Sequence, residues 1–401
     1  MRQPALRRLL TGYAVSGLGD WFGEIALSVV VFHATGSVLA VTALWIAGRI
    51  VPAIAGPPLV ARLGRVRVPL LYAAEAAVFG ILALAVLRHA PIPVLIALAL
   101  LDGTLALAAR ALTKSAIVAA AEPAGVLAEA NRMLGIVFGA SMAVGPALAG
   151  IAVASVGPAA ALALDGASFA AAGLLLARGR PSAPARGPRV SLRDAVARVR
   201  RSSTLSALLL VDGATGICFA LILPVELVFV TETLGGSEAD FGLVLAAWGA
   251  GAVLGGVVLG RLRDLDPGAV LLTGFAFMIA GYLGMGAAGG VGMVVVCSLL
   301  GGIGQGLEGC ALLTAVQRRA PAELQAHVNA IAEAVRAAAP GVGFAIGGLL
   351  AATAQPRVTY IVAGLSALAV IAASTQTLSE AVAETGAFAP KPGPAVAGSS
   401  R

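Results

Sequence analysis

Twelve apolar runs, each about twenty residues long, dominate this chain and leave few folds open to it. In hydrocarbon, every backbone N–H and C=O must find its partner inside the protein, so a run of that length crosses a bilayer as a helix. The runs fall at 9–32, 38–60, 68–88, 92–113, 132–155, 158–177, 204–230, 239–260, 268–287, 290–316, 328–353 and 357–376. Only 12% of the 401 residues are charged and 59% are hydrophobic, against about 25% charged in a soluble domain. The expected fold class is all-α, a polytopic membrane protein of twelve transmembrane helices.

The arginines set the expected topology. With the N-terminus in the cytoplasm, Arg2, Arg7, Arg8, Arg62, Arg65, Arg67, Lys114, Arg132, Arg261, Arg263, Arg318 and Arg319 lie on or near the cytoplasmic side. So do the eight arginines between Arg178 and Arg201, and only Arg88 and Arg357 fall outside. Basic residues concentrate on the cytoplasmic side of membrane proteins, so both termini are expected inside, in a cell inner membrane. The net charge of +7 then faces one leaflet, and nucleic acid is not an expected partner. The basic opening "MRQPALRRLL" resembles a signal peptide, but the run after it is long, is broken by Asp20 and Glu24, and lacks a small-residue cleavage site. It reads as a retained first helix.

The Pro-, Gly- and Arg-rich stretch 178–203 divides the chain into two six-helix halves, 1–177 and 204–377. Beyond 378 the composition turns polar and Pro/Gly/Ser-rich, as in a disordered cytoplasmic tail. The halves repeat at an offset of 198 residues. Gly103 meets Gly301, Pro123 meets Pro321, Asn131 meets Asn329, Gly145 meets Gly343, Gly150 meets Gly348 and Pro158 meets Pro356. A parallel repeat of this kind places a binding site between the halves near the membrane midplane. Cys218, Cys297 and Cys310 all lie in apolar runs. They read as small packing residues, not a disulfide framework or a metal site.

Two motifs carry a resemblance to the major facilitator superfamily. The loop "PLVARLGRVR" between the second and third runs keeps Arg62, Gly64 and Arg65 of the family's Gly-x-x-x-Asp-Arg-x-Gly-Arg pattern, with Ala61 in place of the Asp and Pro57 in place of the first Gly. Its copy "GVVLGRLRD" keeps Gly256 and Arg261 and ends at Asp264. The fifth run contains "SMAVGPALAG", in which Gly145, Pro146 and Gly150 match the family's antiporter motif and Ser141 and Ala149 replace glycines. The resemblance implies gating roles for Arg62, Gly64, Arg65, Gly145, Pro146, Gly150 and Arg261. "GLGDWFGEIALSVVVFHATGS", "LAEANRMLG" and "ALDGASFAAAGLLL" look like the drug-efflux branch that includes macrolide and siderophore exporters.

The resemblance also implies that helices 1, 4, 7 and 10 line a central cavity. Those helices carry Asp20, Glu24, Asp102, Arg110, Asp212, Glu226, Gln305 and Glu308. A carboxylate at membrane depth is costly unless protonated, paired or facing water. Asp20 and Glu24 lie about 40° apart on one helical face, where two nearby carboxylates lose their protons in coupled steps. Six acids against one arginine make the expected cavity net acidic, suited to protons and to cationic or neutral organic compounds. Each acid also has a structural alternative, and Arg110 either neutralises Asp102 or meets the substrate. Arg49, Glu75, Asp165, Glu333 and Arg336 read as helix–helix or gate contacts, with Glu333 and Arg336 spaced to pair.

"GQGLEG", Gly304–Gly309, matches a dinucleotide fingerprint in letters only, because no βαβ unit surrounds it. No catalytic constellation, cofactor motif or metal spacing appears. The expected function is a non-enzymatic secondary transporter with partners limited to a small-molecule substrate, protons and the bilayer. It reads as a monomeric, proton-coupled exporter of amphipathic compounds. An importer or facilitator on the same fold and a non-transporting receptor or scaffold stay open as alternatives.

Overall fold

Without water to squeeze out, membrane helices associate through close packing of small side chains, and this chain supplies 51 glycines for it. The computed structural model describes residues 4–54, 67–123, 125–177, 197, 199–261, 267–319 and 325–383. Its apolar helices are α1 (Pro4–Thr35), α2 (Val38–Trp45, prolonged by a π-helical turn Ile46–Ile50 and on to Ile54), α3 (Val68–Leu87), α4 (Ile92–Ala121), α5 (Leu127–Val156) and α6 (Pro158–Ala177). The second set is α7 (Ser203–Val228, ending in a π-helical turn Phe229–Thr233), α8 (Glu238–Arg261), α9 (Pro267–Ala287), α10 (Val291–Arg319), α11 (Gln325–Thr353) and α12 (Pro356–Ala383). Eleven are long and apolar enough to cross a membrane, and the twelfth, α2, is described only over Val38–Ile54.

Several helices outrun the apolar runs that announce them. α1 begins at Pro4, α4 continues to Ala121, α5 begins at Leu127, and α12 runs to Ala383, past the expected boundary at 377. The apolar count stops at the first interfacial charge, whereas Ala, Leu, Glu and Arg sustain a helix beyond it. Arg62, Gly64, Arg65 and Asp264, most of the linker 178–203, and the tail from 384 lie outside the described residues. Arg261 is the last residue of α8, and its side chain lies outside them too.

The helix starts follow the 198-residue offset closely. Shifted by it, Leu127 of α5 falls on Gln325, the first residue of α11, and Pro158 of α6 falls on Pro356, the first of α12. Contacts between the halves come from α5 against α8 and α2 against α11, which the same offset exchanges. Both crossings depend on missing side chains. A Cβ on Gly150 would sit 2.6 Å from the Glu238 carbonyl oxygen and 3.0 Å from Gly242 Cα, and one on Gly341 would sit 2.7 Å from Ile50 Cγ2. A Cβ on Gly348 would collide with Thr42. Pro146, inside α5, has no N–H to give the Met142 carbonyl one turn back, and that carbonyl faces Gly249 of α8.

Candidate functional site

The stretch "GLGDWFGE" in α1 has two opposite faces. Gly19 and Gly23 form one. A Cβ on either would collide with Asp165 of α6, and one on Gly23 would also strike Phe79 of α3. The Gly23 N–H donates to Asp165 Oδ2 at 3.1 Å, and Ser168 donates to Asp165 Oδ1 at 3.3 Å. Nearby, the Tyr72 hydroxyl bridges α3 to Thr113 of α4 at 3.1 Å and to Ser16 of α1 at 3.5 Å. With its glycine face closed against α3 and α6, α1 turns Asp20, Trp21 and Glu24 the other way.

Both carboxylates meet an arginine. Arg110 Nη1 of α4 donates to Asp20 Oδ2 at 2.6 Å. Glu24 Oε1 accepts from Arg49 Nη2 of α2. Arg49 lies in the π-helical turn of α2, a local widening often found at functional positions, and its guanidinium lies over the Trp45 ring at 5.1 Å. Gly48 and Gly103 let α2 and α4 touch backbone to backbone, since a Cβ on Gly103 would collide with the Gly48 carbonyl. That contact brings Arg49 and Asp102 to one small pocket of about 70 Å³, shared with Asp20, Glu24 and Arg110. Asp102 Oδ1 is buried there and has no hydrogen-bond partner among the described residues.

The pocket adjoins a larger cavity of about 370 Å³. Its charged wall comes from the first half: Asp20, Glu24, Arg49, Arg110 and Lys114. Phe219, Leu223, Leu245 and Trp248 of the second half form an apolar wall, and Phe138 and Met142 of α5 add to it. The chain has three tryptophans, and Trp21, Trp45 and Trp248 all line this one cavity.

Residues 205–397 match the family model described as Major Facilitator Superfamily. That match covers just under half of the chain, and it lies in the second set of helices. Solved structures agree in fold at low identity. The nucleoside transporter NupG superposes with a TM-score of 0.72 at 11% identity, covering 94% of this chain and 99% of that one. A bacterial homologue of the iron transporter ferroportin, in an inward-facing state, gives 0.69 at 16%, covering 94% and 100%. A bacterial homologue of the human lysosomal transporter Spinster, inward-facing and occupied, gives 0.67 at 14%, covering 96% and 98%. No curated protein sequence matches the chain. The chain is an all-helical, multi-pass membrane protein with the major facilitator fold.

The cavity corrects several expectations. Asp20 and Glu24 do share one face, but Arg110 pairs with Asp20, not with Asp102, and Arg49 joins the site. Among the described residues, α10 contributes no lining residue to this cavity, whereas α2, α5 and α8 do. Asp212, Glu226 and Glu308, at 9%, 2% and 4% exposure, are buried within the second half. Arg336 Nε of α11 lies 2.9 Å from Asp212 Oδ2, and Thr215 donates to Glu308 at 3.0 Å. The Glu333 side chain lies outside the described residues. Gln305 reaches the cavity only indirectly, by accepting from Trp248 Nε1 at 2.7 Å. The expected net acidic lining is therefore not found in this cavity, whose acids are matched by arginines.

The implied gating residues divide by neighbour. A Cβ on Gly145 would collide with the Trp21 indole, so that glycine makes room for a cavity wall. Pro146 and Gly150 instead face Gly242 of α8, across the seam between the halves.

Proposed function

We propose that the protein is a secondary transporter of the major facilitator superfamily that exports amphipathic organic compounds, drug-like or siderophore-like, by alternating access in exchange for protons. The supporting observation is a cavity between the halves with a charged wall on one side and an aromatic, aliphatic wall on the other. Such a cavity suits a solute with a polar end and an apolar body. Glycine-tight crossings join the halves toward the end at which α1 leaves and α2 begins, and the arginine bias points that end to the outside. The protein then works as a monomer in the inner membrane with both termini, the basic linker and the tail in the cytoplasm. Asp20, Glu24 and Asp102 are the proposed proton-handling groups. A proton is the smallest partner that would satisfy the orphaned Asp102 oxygen, and an isolated buried carboxylate is far costlier than a neutral carboxyl.

Accumulation in inside-out vesicles tests the reading. Exchange predicts uptake of an amphipathic dye when the lumen is more acidic than the bath, because protons leave as the dye enters. Reversing the gradient should abolish uptake. Glu24→Gln cannot release a proton and should insert normally yet fail to accumulate dye, with Asp20→Asn milder. Uptake that is indifferent to the gradient in the native protein would reject proton exchange. Full gradient-driven uptake in both variants would move the proton to Asp102.

A further inference from the structure

The lining of the large cavity carries more cations than anions. Three cations line it, Arg49, Arg110 and Lys114, against two anions, Asp20 and Glu24. Both anions are already paired with arginines. Lys114 has no carboxylate partner among the described residues. Its ammonium stands 5.9 Å from the centroid of Tyr13, another lining residue, so its side chain is turned toward the cavity wall.

Lys114 follows Arg110 by four residues on α4, which puts the two cations on one face about a turn apart. Like charges at that spacing repel, and a shared anion would relieve the repulsion. Arg110 has donors to spare. A guanidinium carries five N–H groups, and Asp20 takes one of them, from Nη1. Phe138 and Trp248 supply apolar and aromatic surface in the same cavity.

We infer that the substrate is an organic anion, an amphiphile whose carboxylate, or a similar anionic group, sits between Arg110 and Lys114 while its apolar body lies against the tryptophan-lined wall. This deepens the export reading and rests on its amphipathic cavity, but it reverses the expectation of a cationic or neutral compound. Lys114 becomes the residue that selects charge, since Arg110 is shared with Asp20 and Arg49 is engaged with Glu24.

Three probes with one skeleton test it: 2-naphthoate, 2-naphthylmethanol and 2-naphthylmethylammonium. Binding to the full-length protein in neutral-lipid nanodiscs is read from quenching of intrinsic tryptophan fluorescence, because every tryptophan lines the cavity. A charge-assisted contact predicts that naphthoate binds about tenfold tighter than either other probe. Lys114→Gln should erase that preference without weakening the alcohol, and Lys114→Arg should restore it. Equal or tighter binding of the ammonium probe, or a Lys114→Gln loss common to all three, would overturn the assignment while leaving the export reading intact. Binding of none of them would reject the amphipathic cavity and, with it, this inference.

Discussion

At the scale of single residues, the pairing of Asp20 with Arg110 is the feature most open to a direct test. The two side chains are 21% and 41% exposed, between the fully wet pairs that contribute little and the buried pairs whose disruption is severe. Arg110→Gln should therefore destabilise the detergent-solubilised protein by roughly 1–3 kcal/mol. The Asp20→Asn/Arg110→Gln double variant should recover part of that loss. Thermal melting of the two single variants and the double one gives the coupling, and strictly additive losses would mean that the residues act separately. The sequence made the shared face of Asp20 and Glu24 legible, because helical periodicity fixes relative angles along one helix. It carries no such rule for which neighbour a side chain meets. From sequence, Arg49 therefore reads as a helix–helix or gate contact, and Arg110 as either a neutraliser of Asp102 or a substrate contact. Two signals pointed the other way: the glycines beside charges in "AGRI" and "LDGT", which mark backbone contact between helices, and the scarcity of tryptophan in so apolar a chain.

At the scale of helices, glycine position decides what touches what. Gly145→Leu would drive a branched side chain into the Trp21 indole. Overpacking of that order costs about 1–3 kcal/mol, enough for about a tenfold loss of transport, with insertion unchanged. Dye accumulation alongside the membrane-fraction yield separates the two effects, and normal accumulation would detach the motif from function. The sequence located nearly all the helices, since run length in hydrocarbon is a strong constraint. It did not reveal the rotation of each helix about its own axis, which the glycine contacts set. For that reason Asp212, Glu226 and Glu308, expected to face the centre, lie inside the second half instead. Lys114 entered the sequence reading only as one of the charges that set topology. Its placement beside Tyr13 comes from the way α4 packs on α1.

At the scale of the whole molecule, the orientation in the bilayer has its own check. Ser237 is exposed between α7 and α8, and Ser191 lies in the basic linker. A membrane-impermeant thiol reagent applied to intact cells should label Ser237→Cys and leave Ser191→Cys untouched, read against the native protein with its own three cysteines. The opposite pattern would invert the topology and, with it, the direction of export. The repeat was legible from a handful of glycines and prolines, and the helix starts follow the same offset. The charges do not. Under that offset Asp20 falls on Cys218, Glu24 on Ile222, Arg49 on Ala247 and Lys114 on Leu312.

A duplicated frame has thus been given a division of labour, with the cavity's ionic chemistry in one copy and its greasy contour shared between both. The two properties can drift independently. Changes in α7 and α8 would reshape the apolar pocket and alter which bodies fit, without touching the electrical preference set by α1, α2 and α4. A lineage built this way could acquire new cargoes by changing the second half alone, with the electrical preference inherited unchanged in the first.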